Sequence, residues 1–302
     1  MDTYILQIFN GISVSSILML AASGLAITFG LMKVINMAHG EFIMIGAYVT
    51  YLIQNLFLAY VDKSLFGLYF ILAIPAAFIV SGLVGLVLEG TVIRFLYNRP
   101  LDSMLATWGV SLVLQQLART IFGAPNVDVR SPGWLDGGLV ISQGLQLPYK
   151  RLFIILLVIV CIAGMIVLLN KSKTGRRIRA VMQNREMAQS MGINTRRVDA
   201  YTFAIGSGLA GIAGCALTLL GSIGSTLGTY YIVDTFMVVV LGGVGTLLGT
   251  AAGGMLIGTA NTTLEFFTNT SLGKVLVFIL IISFLQWRPK GLFNISSRAL
   301  DE

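Results

Sequence analysis

The sequence predicts an all-α polytopic membrane protein, and three observations carry that reading. Hydrophobic residues make up 56% of the 302 and charged residues only 11%, less than half the roughly 25% of a soluble chain. Apolar runs of about 20 residues, the length that crosses a bilayer as a helix, recur along the chain. The charges gather at the ends of those runs. Helix follows because an isolated apolar segment must satisfy its own backbone hydrogen bonds in lipid. The 34 glycines suit membrane helices that pack closely.

In order, the first run covers residues 5–31 and is followed by VINMAHGE. A second covers 41–60, a third 65–95, and a fourth 104–122, which carries Gln115, Gln116 and Arg119. Residues 123–150, rich in Gly, Pro and Asp and holding Trp134, read as an ordered external loop. The fifth run is 152–169 and the sixth 198–220, with a polar loop at 170–199 between them. A short apolar piece at 230–241, the glycine-rich GGVGTLLG, and runs at 250–267 and 274–287 complete the chain. The expected architecture is one transmembrane domain over 1–302: about eight spans plus a re-entrant or short glycine-rich segment.

The 170–199 loop holds eight basic side chains: Lys171, Lys173, Arg176, Arg177, Arg179, Arg185, Arg196 and Arg197. Placed in the cytoplasm by the positive-inside rule, it brings Lys33, Arg94, Arg99, Arg288, Lys290 and Arg298 to the same side, 14 of 20 basic residues. The N-terminus is then outside and the C-terminus cytoplasmic. With no basic n-region or cleavage site, no removable signal is expected. The net charge of +7 is orientation and phospholipid contact, not a nucleic-acid face. Cys161 and Cys215 lie inside apolar runs and read as small core residues. Ser23-Gly24-Leu25-Ala26 with Gly30 matches Ser207-Gly208-Leu209-Ala210 with Gly214 on spans of opposite direction, as an inverted repeat would.

Within the loop, residues 184–192 read as a short helix. Asn184 is its N-cap, Glu186 sits near its positive end, and Gly192 supplies a left-handed stop. His39, the single histidine, has no second metal ligand type clustered with it; it closes the bend from Asn36 to Glu41 or serves as a gate contact. Glu89, Arg119 and Glu265 lie in or near apolar runs, where ionisable groups are costly unless paired or wet; Arg119 and Glu265 are a candidate pair. The series Gly242, Gly243, Gly245, Gly249, Gly253, Gly254 and Gly258 is either close helix packing or a flexible segment beside a pathway or interface. No G-x-x-x-x-G-K-[ST] phosphate loop occurs, so this chain is not an ATPase. No partnered nucleophile or cofactor fingerprint marks an enzyme.

The spacing Glu186-x-Ala188-x-x-x-Gly192 resembles the cytoplasmic loop signature of ABC importer permeases, although Met187 stands where alanine is usual and residues 202–205 lack the expected proline. Residues 24–48, 99–123 and 238–254, and the closing Arg288-Pro289-Lys290-Gly291-Leu292-Phe293, resemble the branched-chain amino acid type permease family. Within it, NMAHGE and LATWG-x-SL-x-LQQ are most similar to the urea-importing subgroup. The resemblance implies a multi-pass permease subunit of the bacterial inner membrane that moves urea or short amides inward by alternating access. Its implied partners are a second permease subunit (commonly as a heterodimer), two ABC ATPases that use ATP and Mg, and an extracytoplasmic binding protein. The chain itself would bind no cofactor. Asn184, Glu186, Ala188 and Gly192 would contact the ATPase. Thr28, Asn36, Thr107, Gln115 and Asn261 are the candidate pathway groups, chosen for hydroxyl and amide chemistry suited to a neutral cargo. His39, Glu41, Gly242, Gly243 and Gly245 are structural or gate candidates. Branched-chain amino acids are the alternative cargo, and a self-sufficient channel or secondary transporter the alternative mechanism.

Overall fold

The apolar runs fold as helices, and glycine sets how closely they approach one another. The computed structural model describes residues 2–32, 34–62, 65–97, 99–142, 145–289 and 291–293; Lys33, Lys290 and Arg298 of the orientation argument lie outside them. The helices are α1 (Asp2–Met32), α2 (His39–Tyr60), α3 (Leu68–Thr91), α4 (Pro100–Phe122), α5 (Tyr149–Lys171), α6 (Lys173–Gln183), α7 (Arg185–Ser190), α8 (Thr195–Leu217), α9 (Leu227–Gly242), α10 (Leu247–Phe267) and α11 (Thr270–Trp287). Six of them, α1, α2, α3, α5, α8 and α11, are long and apolar enough to cross a membrane. Helices α4 and α10, at 23 and 21 residues, have the length but carry more polar groups. The 16 residues of α9 span about 24 Å, short of the roughly 30 Å of a hydrocarbon core. The expected eight long segments and one short one are all helical.

Two connections hold more structure than their composition announces. The external loop contains a 3-10 turn at Gly133–Leu135 and a hairpin of β1 (Gly138–Ser142) antiparallel to β2 (Leu145–Pro148). The polar 170–199 segment is two helices, α6 and α7. Ser172 caps α6 by accepting from the Gly175 N–H, and Ile178 and Val181 turn inward while the basic residues stay out.

Helices α1 and α8 form the buried centre and run antiparallel. They cross where Gly24 meets Gly206, so tightly that a Cβ on either would strike the other's carbonyl. Helix α8 then packs on α2 and α3, with Gly211 against Ser81 and Gly214 against Ile43, while α1 packs on α9 and α10, with Gly254 against Met19 and Gly258 against Ser15. Exchanging α1, α2, α3 for α8, α9, α10 preserves this pattern, and the matching Ser-Gly-Leu-Ala tetrads stand on the two central helices. Phe42 of α2 and Phe203 of α8 add an edge-to-face contact at 6.0 Å.

One end of the bundle is basic. There Gly30 approaches Met182 and Gly245, Arg185 lies over the Tyr97 ring, and Phe293 lies against Gly243. At the opposite end, Val127 pairs with Ile223, the Trp134 indole donates to the Gly67 carbonyl at 3.0 Å, and the Tyr69 hydroxyl donates to the Arg130 carbonyl.

Candidate functional site

The bend after α1 climbs back into the bundle. The His39 ring Nε2 lies 3.0 Å from the Ala21 carbonyl, and Ala21 precedes the end of α1 by eleven residues, about 16 Å of helix. A bend at the end of a span was expected; the short extended linker instead rises inside the protein, a climb its length allows at about 3.3 Å per residue. Asn36 shapes it, its Oδ1 accepting from the Ala38 N–H at 3.0 Å. Thr107 of α4 anchors it by accepting from the Met37 N–H at 3.0 Å. From the hairpin end, residues 218–226 descend to the start of α9. The two helix starts meet at Gly40 and Gly228, backbone against backbone, and a side chain at either would collide with the other's carbonyl group.

Beside this meeting point sits Glu41, in the first turn of α2 and only 1% exposed. Its Oε1 accepts from the Ser111 hydroxyl at 2.8 Å and from the Gln115 amide at 2.9 Å. Gln115 also donates to Thr229 Oγ1 at 3.0 Å, and Arg119 Nε donates to Ser225 Oγ at 2.9 Å. Ser103, Thr107, Ser111, Gln115 and Arg119 follow one another at every fourth position of α4, a row that turns slowly around the helix and keeps its middle members, Thr107, Ser111 and Gln115, on one face. That face lies on the starts of α2 and α9 and forms a polar seam at mid-length of α4. Burying a carboxylate there is costly, and the positive ends of two helices offset part of the cost. The partial positive charge at the N-terminal ends of α2 and α9, not a neighbouring cation, is what Glu41 meets: among the described residues it forms no ion pair.

Asn36, Thr107, Gln115, His39 and Glu41 are thus brought together. Thr28 and Asn261 are not. The Thr28 hydroxyl donates back to the Leu25 carbonyl at 3.0 Å, and its methyl fills the crossing with Gly206. Asn261 belongs to α10, which packs on α1, α9 and α11. Arg119 and Glu265 do not pair, since Arg119 turns to Ser225 and Glu265 packs on Gly273 of α11. Gly242, Gly243 and Gly245 make the turn between α9 and α10, Gly243 and Gly245 at φ of 99° and 79°. Gly242 lies on Gly249, and the Leu292 and Phe293 N–H groups donate to the Leu241 and Gly242 carbonyls at 2.8 and 3.2 Å. Ser111 and Thr229 escaped sequence reasoning. The four-residue period of polar groups along 103–119 was the signal for Ser111; Thr229 joins only through the fold.

At the basic end, Asn184 Oδ1 accepts from the Met187 N–H at 2.9 Å and caps α7, worth about 1 kcal/mol. Gly192, at φ 80°, ends the turn after it. Ala188 is buried, Glu186 is exposed, and Met187 and Met191 stand out at 62% and 77% exposure. Arg185 ties this short helix to the bundle with a two-pronged bond to fully buried Asp199 of α8, and its guanidinium lies 5.2 Å from the Tyr97 ring centroid. Tyr97 donates to Glu89 of α3 at 2.6 Å. Burial and the Glu89 carboxylate push the Tyr97 phenol far above its usual pKa, so it remains a donor.

A sequence profile described as the branched-chain amino acid transport system / permease component matches residues 7–285. The chain is 30% identical over 298 residues to the high-affinity branched-chain amino acid transport system permease protein BraD of Pseudomonas aeruginosa, covering 96% of each. It is 29% identical to LivH of Escherichia coli, again covering 96% of each. The ribose import permease RbsC of Bacillus subtilis is 34% identical over 134 residues, 41% of this chain and 42% of its own. No solved structure matches. The chain belongs to the family of branched-chain amino acid transport system permease components, membrane subunits of ABC transporters.

Proposed function

We propose that this chain is the membrane-spanning subunit of an ATP-driven importer of branched-chain amino acids, with its basic end in the cytoplasm. The observation that carries the mechanism is α7: a capped helix held rigidly by Arg185 and Asp199 while presenting Met187 and Met191 to a partner. ATPase subunits docking on the exposed Asn184, Glu186 and Gly192 would move α7, Ala188 being buried against the bundle and so not a contact, and the Asp199 and Tyr97–Glu89 links pass that movement to α8 and α3. A second permease subunit completes the pathway, and a soluble binding protein delivers cargo at the hairpin end. The names of the relatives support amino acids over urea as cargo, and urea draws no support from them.

The test is uptake of labelled leucine into proteoliposomes holding the permease pair and ATPases, with binding protein added outside. Uptake requiring ATP and every partner is the expected result. Equal uptake by this chain alone would make it a channel or secondary transporter, and uptake of urea but not leucine would restore urea as the cargo.

A further inference from the structure

We propose that Glu41 is the anionic half of a cargo-recognition site, one that receives the protonated amino group of the molecule being moved; this rests on the importer reading above. Glu41 Oε1 is engaged by Ser111 and Gln115, but Oε2 is buried with no hydrogen-bond partner among the described residues. Buried polar atoms are almost always satisfied, and an orphan marks a partner still to come. The helix starts at Gly40 and Gly228 offset part of the cost of burying the carboxyl in its ionised form. A cationic donor arriving at that free lone pair would hold the carboxyl in its ionised form, a role no protein cation fills among the described residues.

Two further buried groups are orphaned nearby: Asn36 Nδ2, a donor in the bend that leads into α2, and the Tyr48 hydroxyl, on the same face of α2 as Glu41 but two turns, about 10 Å, further along it. An acceptor that would take an ammonium, with the Asn36 amide donor in the adjoining bend to suit a carboxylate, matches the head of an amino-acid zwitterion. A neutral amide gives Oε2 a weaker, uncharged donor. Access is at hand. Gln115 is partly exposed and Thr229 exposed, so the seam opens to the molecular surface one residue layer from Glu41. Polar groups exposed at mid-length of a span belong against water or protein, not lipid.

The experiment uses the complete transporter in proteoliposomes and reads leucine moved and ATP hydrolysed in parallel. Wild type that hydrolyses ATP without moving leucine would refute the importer reading itself. Given wild-type uptake, Glu41→Gln should lower leucine moved per ATP at least tenfold, while Glu41→Asp restores part of it. A second pair probes the exposed rim, where folding is tolerant. Thr229→Lys supplies a tethered ammonium within reach of Glu41 and should block leucine uptake while ATP hydrolysis continues. Thr229→Met, similar in length and uncharged, should keep more than half. Wild-type coupling in Glu41→Gln, or equal effects of Lys and Met at 229, would overturn the proposal.

Discussion

Breaking the link between α7 and α8 gives the sharpest test of the transmission route. Removing one member of a buried ion pair typically costs about 3–5 kcal/mol, because the other charge is left without compensation. Asp199 is 0% exposed on its side chain, but Arg185 keeps 35%. Solvent therefore screens one member, and the lower figure of about 2–3 kcal/mol is appropriate for Arg185→Met. Asp199→Asn leaves Arg185 free to turn to water and should cost about 1 kcal/mol. The double variant carries no stranded charge, so it should resemble Asp199→Asn alone and not the sum. About 2 kcal/mol corresponds to roughly a 30-fold rise in the open population of α7. Hydrogen exchange of peptides covering 184–194, read by mass spectrometry, measures that population directly. Exchange in Arg185→Met should exceed that of the double variant by roughly an order of magnitude. Additive effects in the cycle would refute the claim that Asp199 is what holds α7 in place.

Three further outcomes follow from the same structure. Gly192→Val forces a β-branched residue to φ 80°, costing about 1–2 kcal/mol locally; the protein should insert normally but co-purify with less ATPase. Glu186→Lys puts a cation at the positive end of α7, a change of about 0.3–1 kcal/mol, and should reduce leucine moved per ATP with Tm unaltered. Thr107→Val strands the Met37 N–H inside the seam, costing about 1–3 kcal/mol, and should lower Tm measurably. Thr107→Ser, which keeps the acceptor, should not.

Much of the basic end was legible because its signals are local. A capping asparagine, a glycine at a left-handed position and the spacing between them fix α7 within nine residues. Glycine repeats likewise announced close packing, though not which partner each glycine faces: Gly249 turns to α9 and Gly254 to α1. Helix α6 was hidden by its charge. Its four cations signal orientation, while Ile178 and Val181 at helical spacing carry the fold. The seam was only half legible. Composition placed polar groups on the fourth run, and the four-residue period from Ser103 to Arg119 is plain once α4 is known to be helix throughout. The climb of residues 34–38 had no local signature, since a linker at a span end and one inside a bundle have the same composition. It is fixed by tertiary contacts, His39 to Ala21 and Met37 to Thr107. The Arg119–Glu265 pairing failed because shared depth says nothing about which side of the bundle each helix occupies.

The last carbonyls of α9 are covered by Leu292 and Phe293, about fifty residues further along the chain. At roughly 5–20 residues per second of synthesis, α9 waits several seconds after leaving the ribosome before its end can be closed. During that interval a helix too short to span the bilayer has open backbone acceptors at one end and no partner at Gly249 until α10 follows. Its final seating therefore belongs to the end of biosynthesis, after the six long apolar helices have been made. A stop codon at 291 would leave every one of those spans intact and still release a protein whose α9–α10 turn lacks the cover of Leu292 and Phe293 on its last carbonyls.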